Sequence, residues 1–112
     1  MKQVIVTGGR DYDDWAMVQD VLDLINPDMI IQGGAEGADR LAKEYAEYNN
    51  KKSVTIEANW QEHGKSAGPK RNIEMLMKYP EATVVAFPGG KGTAHCVCAA
   101  AQLNRVVLQV HR

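Results

Sequence analysis

Long hydrophobic runs and a strong net charge are both absent from this sequence of 112 residues. No apolar run approaches the roughly 18 residues of a membrane span, and the N-terminus lacks the charged-then-apolar layout of a signal peptide. The formal net charge is −1, so there is no overall electrostatic case for nucleic acid as a partner. We therefore expect no membrane association and no nucleic-acid partner.

Cysteine is scarce, with Cys96 and Cys98 as its two occurrences. Two residues apart on a helix, they point in different directions, so we expect no disulfide and a reducing, cytoplasmic setting. Together with His63 and His95 they show no spacing typical of a zinc site. We predict neither a metal nor a cofactor, and we interpret the two thiols as small core residues.

Glycine is what the sequence does have, and its placement repeats. Three apolar segments run into a double glycine that precedes a helical pattern, and these segments are residues 4–7, 29–32 and 82–87. Glycine lets the backbone turn tightly and lets a ligand come close. The free N–H groups of a helix start attract an anion. This coincidence is the strongest functional signal in the chain.

Strands and helices alternate along the whole chain. The apolar patterns predict strands at about 3–7, 29–32, 53–57, 83–87 and 105–110, and helices up to 25 and at about 37–48, 68–79 and 93–103. Such alternation is typical of a three-layer α/β/α domain with a doubly wound, mainly parallel sheet. We predict one domain, residues 1–112, with five strands in the order 3-2-1-4-5. That order brings the glycine loops together at the carboxyl edge.

A polar and basic segment, residues 58–71, precedes the third long helix, and we predict an irregular loop there. A loop of this length in so small a domain is usually functional. Arg71 follows a Gly-Pro pair and opens the helix, where a cation opposes the helix dipole. That placement favours a contact with a ligand phosphate. Trp60 could stack on a base or anchor the loop by packing, and we favour packing.

Four motifs, at residues 8–12, 33–39, 63–72 and 88–94, cover most of these loops. In that order they resemble the YspA-like branch of the SLOG superfamily, over essentially the whole chain. The superfamily also includes the LOG phosphoribohydrolases and the Rossmann domain of DprA/Smf. The resemblance implies a Rossmann-like domain, from a phage or a bacterium, that binds a nucleotide or nucleotide-derived ligand as a sensor or sequestering domain. It also implies a homodimer or higher homo-oligomer.

The loops and the resemblance together define a set of predicted ligand-binding residues. Asp39 is either a dipole-favoured helix charge or a hydrogen-bond partner of a ribose hydroxyl or a neighbouring loop, and the structural role is favoured. The full set comprises Gly8, Gly9, Arg10, Gly33, Gly34, Ala35, Gly37, Asp39, Lys65, Gly68, Arg71, Asn72, Pro88, Gly89, Gly90, Gly92 and Thr93.

An enzymatic alternative follows from the same resemblance. The LOG enzymes cleave the N-glycosidic bond of nucleoside 5′-monophosphates and carry the signature PGGxGTxxE. Residues 88–93 match this signature, but Cys96 stands where the glutamate belongs. A thiol neither activates water nor stabilises a cationic sugar well. Hydrolysis of the LOG type would therefore need a relocated carboxylate, for which Glu36 and Asp11 are the candidates. A DprA-like role on single-stranded DNA is a third, weaker reading.

Overall fold

The apolar runs of the sequence become the strands of one sheet in the computed structural model, which describes all residues from Met1 to Arg112. The strands are β1 (Gln3–Thr7), β2 (Met29–Gln32), β3 (Lys52–Thr55), β4 (Thr83–Ala86) and β5 (Val107–Gln109). Their order is β3-β2-β1-β4-β5, and all four neighbouring pairs are parallel. The predicted fold class and strand order are confirmed.

The chain forms five α-helices, and the four long ones cover the two faces of the sheet. The five helices are α1 (Trp15–Ile25), α2 (Ala38–Tyr48), α3 (Trp60–His63), α4 (Ala67–Lys78) and α5 (Lys91–Gln102). None of them combines the length and the apolar character that crossing a bilayer requires.

The side chains of β1 divide between two cores because successive residues of a strand point to opposite faces. Val4 and Val6 pack in a cluster that also holds Val18 of α1 and Tyr45 of α2. Ile5 belongs to the opposite cluster, together with buried residues of α4 and α5. All three of these strand residues are fully buried. Burial on both faces explains why the strand is apolar throughout rather than alternating.

The segment predicted to be an irregular loop is instead mostly helical. It contains α3, a 3-10 turn (Gly64–Ser66) and the start of α4 at Ala67. The side chain of Asn59 caps α3 by accepting a hydrogen bond from the Glu62 N–H at 3.1 Å. A four-residue helix is too short to show an apolar period, so the pattern of residues could not reveal it.

Smaller corrections concern element ends. Strand β3 covers Lys52–Thr55 rather than 53–57, β5 is limited to Val107–Gln109, and α5 begins at Lys91, two residues earlier than predicted. The side chain of Asp14 caps α1 by accepting a hydrogen bond from the Met17 N–H at 3.0 Å. Helix and strand ends are the least regular parts of each element, which is why sequence patterns place them poorly.

Candidate ligand-binding site

A cleft of about 520 Å³ opens where the loops after β1, β2 and β4 meet at the carboxyl edge of the sheet. We call it the main cleft. Twelve of the seventeen predicted ligand-binding residues line it: Gly8, Gly9, Arg10, Ala35, Asp39, Lys65, Gly68, Arg71, Asn72, Gly90, Gly92 and Thr93. The doubly wound topology thus brings most of the predicted set into one place.

The five other predicted residues lie beside the main cleft rather than on its wall, and they are Gly33, Gly34, Gly37, Pro88 and Gly89. Two of them, Pro88 and Gly37, lie where the loops contact one another. The N–H of Gly9 donates to the Pro88 carbonyl at 2.8 Å, and the Ala38 N–H donates to the Gly9 carbonyl at 3.1 Å. A Cβ on Gly37 would overlap the Gly9 carbonyl oxygen.

Asp39 closes the loop after β2 from within. It is 6% exposed, and its Oδ2 accepts hydrogen bonds from the N–H groups of Gly33 at 3.1 Å and Ala35 at 3.3 Å. Burial raises the pKa of Asp39 to about 6, although these bonds and the charges of Arg71 and Arg10 act to lower it. Its other oxygen, Oδ1, accepts no hydrogen bond within the chain. Asp39 lines the main cleft.

Arg71 is held in place by two hydrogen bonds. Its Nη1 donates to the Gly33 carbonyl at 2.8 Å, and its Nε donates to Asn72 Oδ1 at 3.0 Å. A Cβ on Gly33 would overlap the guanidinium, so the glycine makes room for it. The nearly buried Asn72 in turn donates to the Gly92 carbonyl at 3.2 Å. Arg71 therefore presents Nη2 without an acceptor from the chain.

The N-terminus of α5 forms the opposite wall. Gly90 caps this helix without a side chain, and the first helical hydrogen bond runs from the Ala94 N–H to the Gly90 carbonyl. The N–H groups of Lys91, Gly92 and Thr93 have no acceptor within the chain. No atom lies within 4 Å of a Cβ built on Gly90 or Gly92. This wall consequently offers open backbone donors of the kind that bind anions.

The charge of the main cleft differs from that of the whole chain. Four cationic side chains line it, and Asp39 is its single carboxylate. The chain as a whole has a formal net charge of −1. A cleft that concentrates one sign of charge attracts ligands of the opposite sign. The cations are Arg10, Lys65, Arg71 and Lys91.

Five wall residues fall outside the predicted set: Thr7, Trp60, Pro69, Lys91 and His95. Trp60 stands out in the sequence as an aromatic side chain in a polar segment, but this position favours packing over a contact with a ligand. Trp60 is 51% exposed, and its Cη2 lies 3.5 Å from where a Cβ on Gly68 would be. The position of Lys91 in a glycine-rich loop could have marked it as a ligand-binding residue, whereas no sequence pattern marks Thr7 or His95 as one.

The candidate catalytic residues do not line the main cleft. Glu36 and Asp11 lie on a neighbouring groove of about 270 Å³. Cys96, at the position of the LOG glutamate, is fully buried, and burial raises the pKa of its thiol to about 11. The thiol is therefore neutral at ordinary pH. Asp39 is the carboxylate that a reaction in the main cleft would have available.

The parallel sheet and its glycine loops define a Rossmann-like α/β domain. Residues 2–63 match the family described as "YAcAr: YspA, cpYpsA-related SLOG family". The chain is also 35% identical over 109 residues to the Gene 61 protein of Mycobacterium phage D29, covering 87% of this chain and 86% of that protein. The chain belongs to the YspA, cpYpsA-related SLOG family.

A solved structure of similar fold is the X-ray structure of DNA processing protein A (DprA) from Streptococcus pneumoniae. The TM-score is 0.57 at 17% sequence identity, and the match covers 96% of this chain. The chain spans 58% of that DprA chain. At this level of identity the likeness shows a shared fold.

Proposed function

We propose that the main cleft binds a nucleotide or nucleotide-derived ligand, and that the domain acts as a sensor or sequestering domain. The observation that carries the proposal is the gathering of four cationic side chains and a free helix N-terminus around one cleft in a nearly neutral chain. Membership of the SLOG family supports a nucleotide-related role.

The phosphate has the best-defined place in this proposal. It binds the free N–H groups of Lys91, Gly92 and Thr93 on one side and Nη2 of Arg71 on the other. Helix N-termini and guanidinium groups are both favourable partners of phosphate oxygens. The hydrogen bonds that hold Arg71 keep its guanidinium in a binding orientation before the ligand arrives, which lowers the entropy lost on binding.

The nucleoside part of the ligand has two partners. Oδ1 of Asp39 is free to accept a hydrogen bond from a ribose hydroxyl. The half-exposed ring of Trp60 offers a face for a base. A base stacked on an aromatic ring contributes roughly 1–3 kcal/mol. We therefore assign Trp60 a stacking role in place of the packing role that its sequence position favoured.

Hydrolysis of an N-glycosidic bond is the second candidate, and one observation favours it. Asp39 combines a place on the cleft wall with a pKa of about 6, which is close to the range of an effective general base. The LOG-like activity on nucleoside 5′-monophosphates would then depend on Asp39 rather than on Glu36 or Asp11. The buried, neutral thiol of Cys96 supplies no substitute for the family's glutamate.

One incubation separates the two functions. The protein is mixed with nucleoside monophosphates, ADP, NAD, ADP-ribose and cyclic dinucleotides, and the bound fraction is isolated, denatured and analysed by mass spectrometry with the free fraction. We expect an intact nucleotide released from the protein. Free base and ribose 5-phosphate accumulating in solution would instead establish hydrolysis, and Asp39→Asn should then abolish it. No retained nucleotide and no turnover would contradict both functions.

Self-association is a separate proposal. Exposed apolar side chains gather at and before the β5 edge of the sheet, where Leu103 is 42%, Val106 70% and Leu108 44% exposed. We propose that this edge contributes to a homodimer or higher homo-oligomer. Light scattering should give at least twice the 12.3 kDa of the chain, and Val106→Asp should shift the mass towards the monomer. A monomer at every concentration tested would contradict the proposal.

A further inference from the structure

His95 is a wall residue of the main cleft to which the proposed function gives no role. It is half-buried and lines the cleft from α5. Its Nδ1 lies 3.3 Å from Nδ2 of Asn72, and its Nε2 forms no hydrogen bond within the chain. A neutral imidazole has one nitrogen that donates and one that accepts. The position of the ring proton therefore decides what His95 can offer to a ligand.

The side-chain amide of Asn72 has one possible orientation. Asn72 is 3% exposed. Its Oδ1 lies 3.0 Å from Nε of Arg71, which can donate but not accept. Its Nδ2 lies 3.2 Å from the Gly92 carbonyl oxygen, which can accept but not donate. A reversed amide would lose both hydrogen bonds, so these two partners fix the oxygen towards Arg71 and the nitrogen towards Gly92.

The fixed amide of Asn72 in turn sets the tautomer of His95. Nδ2 of Asn72 carries two hydrogens, and it donates one to the Gly92 carbonyl and the other to Nδ1 of His95. Nδ1 must therefore hold a lone pair, because two facing N–H groups would repel each other. The proton of the neutral ring is then on Nε2. His95 consequently has an Nε2–H donor without an acceptor in the chain.

This donor belongs to a ring beside the open N-terminus of α5. The Gly92 carbonyl and Nδ1 of His95 share one amide of Asn72, so the imidazole lies next to the helical turn whose first N–H groups are free. We infer that His95 is a further phosphate-binding residue of the main cleft, which donates from Nε2, and that Asn72 is the positioning residue that keeps Nδ1 unprotonated. The inference rests on the proposed function and adds a residue to its phosphate site.

ADP titration into two His95 variants tests the donor. The oxygen of the shorter side chain in His95→Asn can replace Nδ1 as the acceptor for Asn72, but this side chain has no atom in place of Nε2. We expect ADP affinity by isothermal titration calorimetry to fall about tenfold, since hydrogen bonds to charged groups are the stronger kind. His95→Gln places an amide nitrogen near the Nε2 position and should recover most of this loss. His111→Asn, at an exposed histidine outside the main cleft, should leave the affinity unchanged.

NMR of the imidazole nitrogens tests the role of Asn72. At a pH above the ordinary titration range of histidine, wild-type His95 should show an unprotonated Nδ1 and a protonated Nε2, and ADP should shift the Nε2 signal. Asn72→Asp puts an oxygen in place of Nδ2, so Nδ1 of His95 should become protonated. The signals of His63 and His111, the two other histidines, should not change and serve as internal controls.

The two tests can fail separately. Wild-type ADP affinity in His95→Asn, with thermal unfolding showing a folded protein, would overturn the donor role and leave the proposed function intact. A protonated Nδ1 in the wild-type protein, or an unprotonated one in Asn72→Asp, would overturn the positioning role. If Asn72→Asp does not fold, the wild-type spectrum decides. No ADP binding by the wild-type protein would contradict both the donor role and the phosphate site of the proposed function.

Discussion

The loops after β2 and after β4 have the same sequence pattern, an apolar strand followed by a double glycine and a helix. They differ in whether their backbone N–H groups form hydrogen bonds within the chain. In the β2 loop, the N–H groups of Gly33, Gly34 and Ala35 all donate to side chains of the same segment, Asp39 and Gln32. In the β4 loop, no side chain caps α5, and the first three N–H groups of the helix are free.

This difference shows that a glycine loop can either support the structure around a site or leave its N–H groups open to a ligand. The β2 loop satisfies its own donors, and its Gly33 carbonyl accepts a hydrogen bond from Arg71. The β4 loop leaves its donors for something from outside the chain. Gly37 is crowded by the backbone of Gly9 and Arg10, whereas Gly90 and Gly92 face open space. The surroundings of each glycine decide which of the two roles its loop has. The sequence does not specify these surroundings.

The largest expected effect is a loss of stability on substitution of the crowded Gly37. Gly37 has a φ of +76°, and an added Cβ would overlap the Gly9 carbonyl oxygen. We expect Gly37→Ala to lower the free energy of unfolding by more than about 3 kcal/mol, since strain and overlap add. Gly92→Ala should leave it unchanged or raise it by up to about 1 kcal/mol, as alanine favours helix. Urea unfolding curves with equal midpoints for the two variants would contradict the claim that Gly37 is crowded and Gly92 is not.

A second prediction uses the acid that closes the β2 loop. Burial raises the pKa of Asp39 from its ordinary value of 3.8 to about 6 in the folded chain. Between these values the folded state holds the proton more tightly, so stability falls as pH rises from about 4 to about 6. Asp39→Asn removes this titration and should gain up to roughly 3 kcal/mol relative to wild type between pH 4 and pH 7.

Urea unfolding at both pH values measures this relative gain. The matched control is Asp20→Asn, which changes an exposed acid of α1 outside the loop. Its stability relative to wild type should stay constant across the same range. A constant difference for Asp39→Asn as well would show that the β2 loop does not hold a destabilised carboxylate.

A third prediction converts the open loop into a closed one. A side chain fits at Gly90, because no atom lies within 4 Å of its Cβ position. Gly90→Asp should cap α5 and change the free energy of unfolding by only a few tenths of a kcal/mol. Its carboxylate would occupy the free N–H groups and repel phosphate, so we expect ADP affinity to fall about tenfold or more. Unchanged ADP affinity by calorimetry would mean that no phosphate binds at α5.

Much of the fold is predictable from the sequence because the central strands are buried on both faces. Continuous apolar runs such as 29–31 therefore mark the strands, and the alternation with helices limits the topology. The short α3 was missed because one helical turn has no period. The open edge strand β3 and the short β5 had weaker patterns, and their ends were placed less well.

The candidate site was predictable to the extent that glycine and Arg71 mark it. The topology alone gathers the loops after β1, β2 and β4, so residues that follow these strands were found. Trp60 lines the main cleft from the short helix α3, which the sequence pattern does not predict. The free Oδ1 of Asp39 and the open space at Gly90 depend on side-chain and backbone positions. No sequence pattern reports these positions.

The central claim, that the main cleft binds a nucleotide phosphate through Arg71, is tested most directly by titrating ADP into Arg71→Ala. Charge-assisted hydrogen bonds contribute roughly 1.5–3 kcal/mol, so we expect affinity to fall tenfold or more. Arg40→Ala is the control, because Arg40 pairs with Glu44 on the exposed face of α2. Thermal unfolding of both variants verifies that they are folded. Wild-type ADP affinity in a folded Arg71→Ala protein would remove Arg71 from the site and contradict the account.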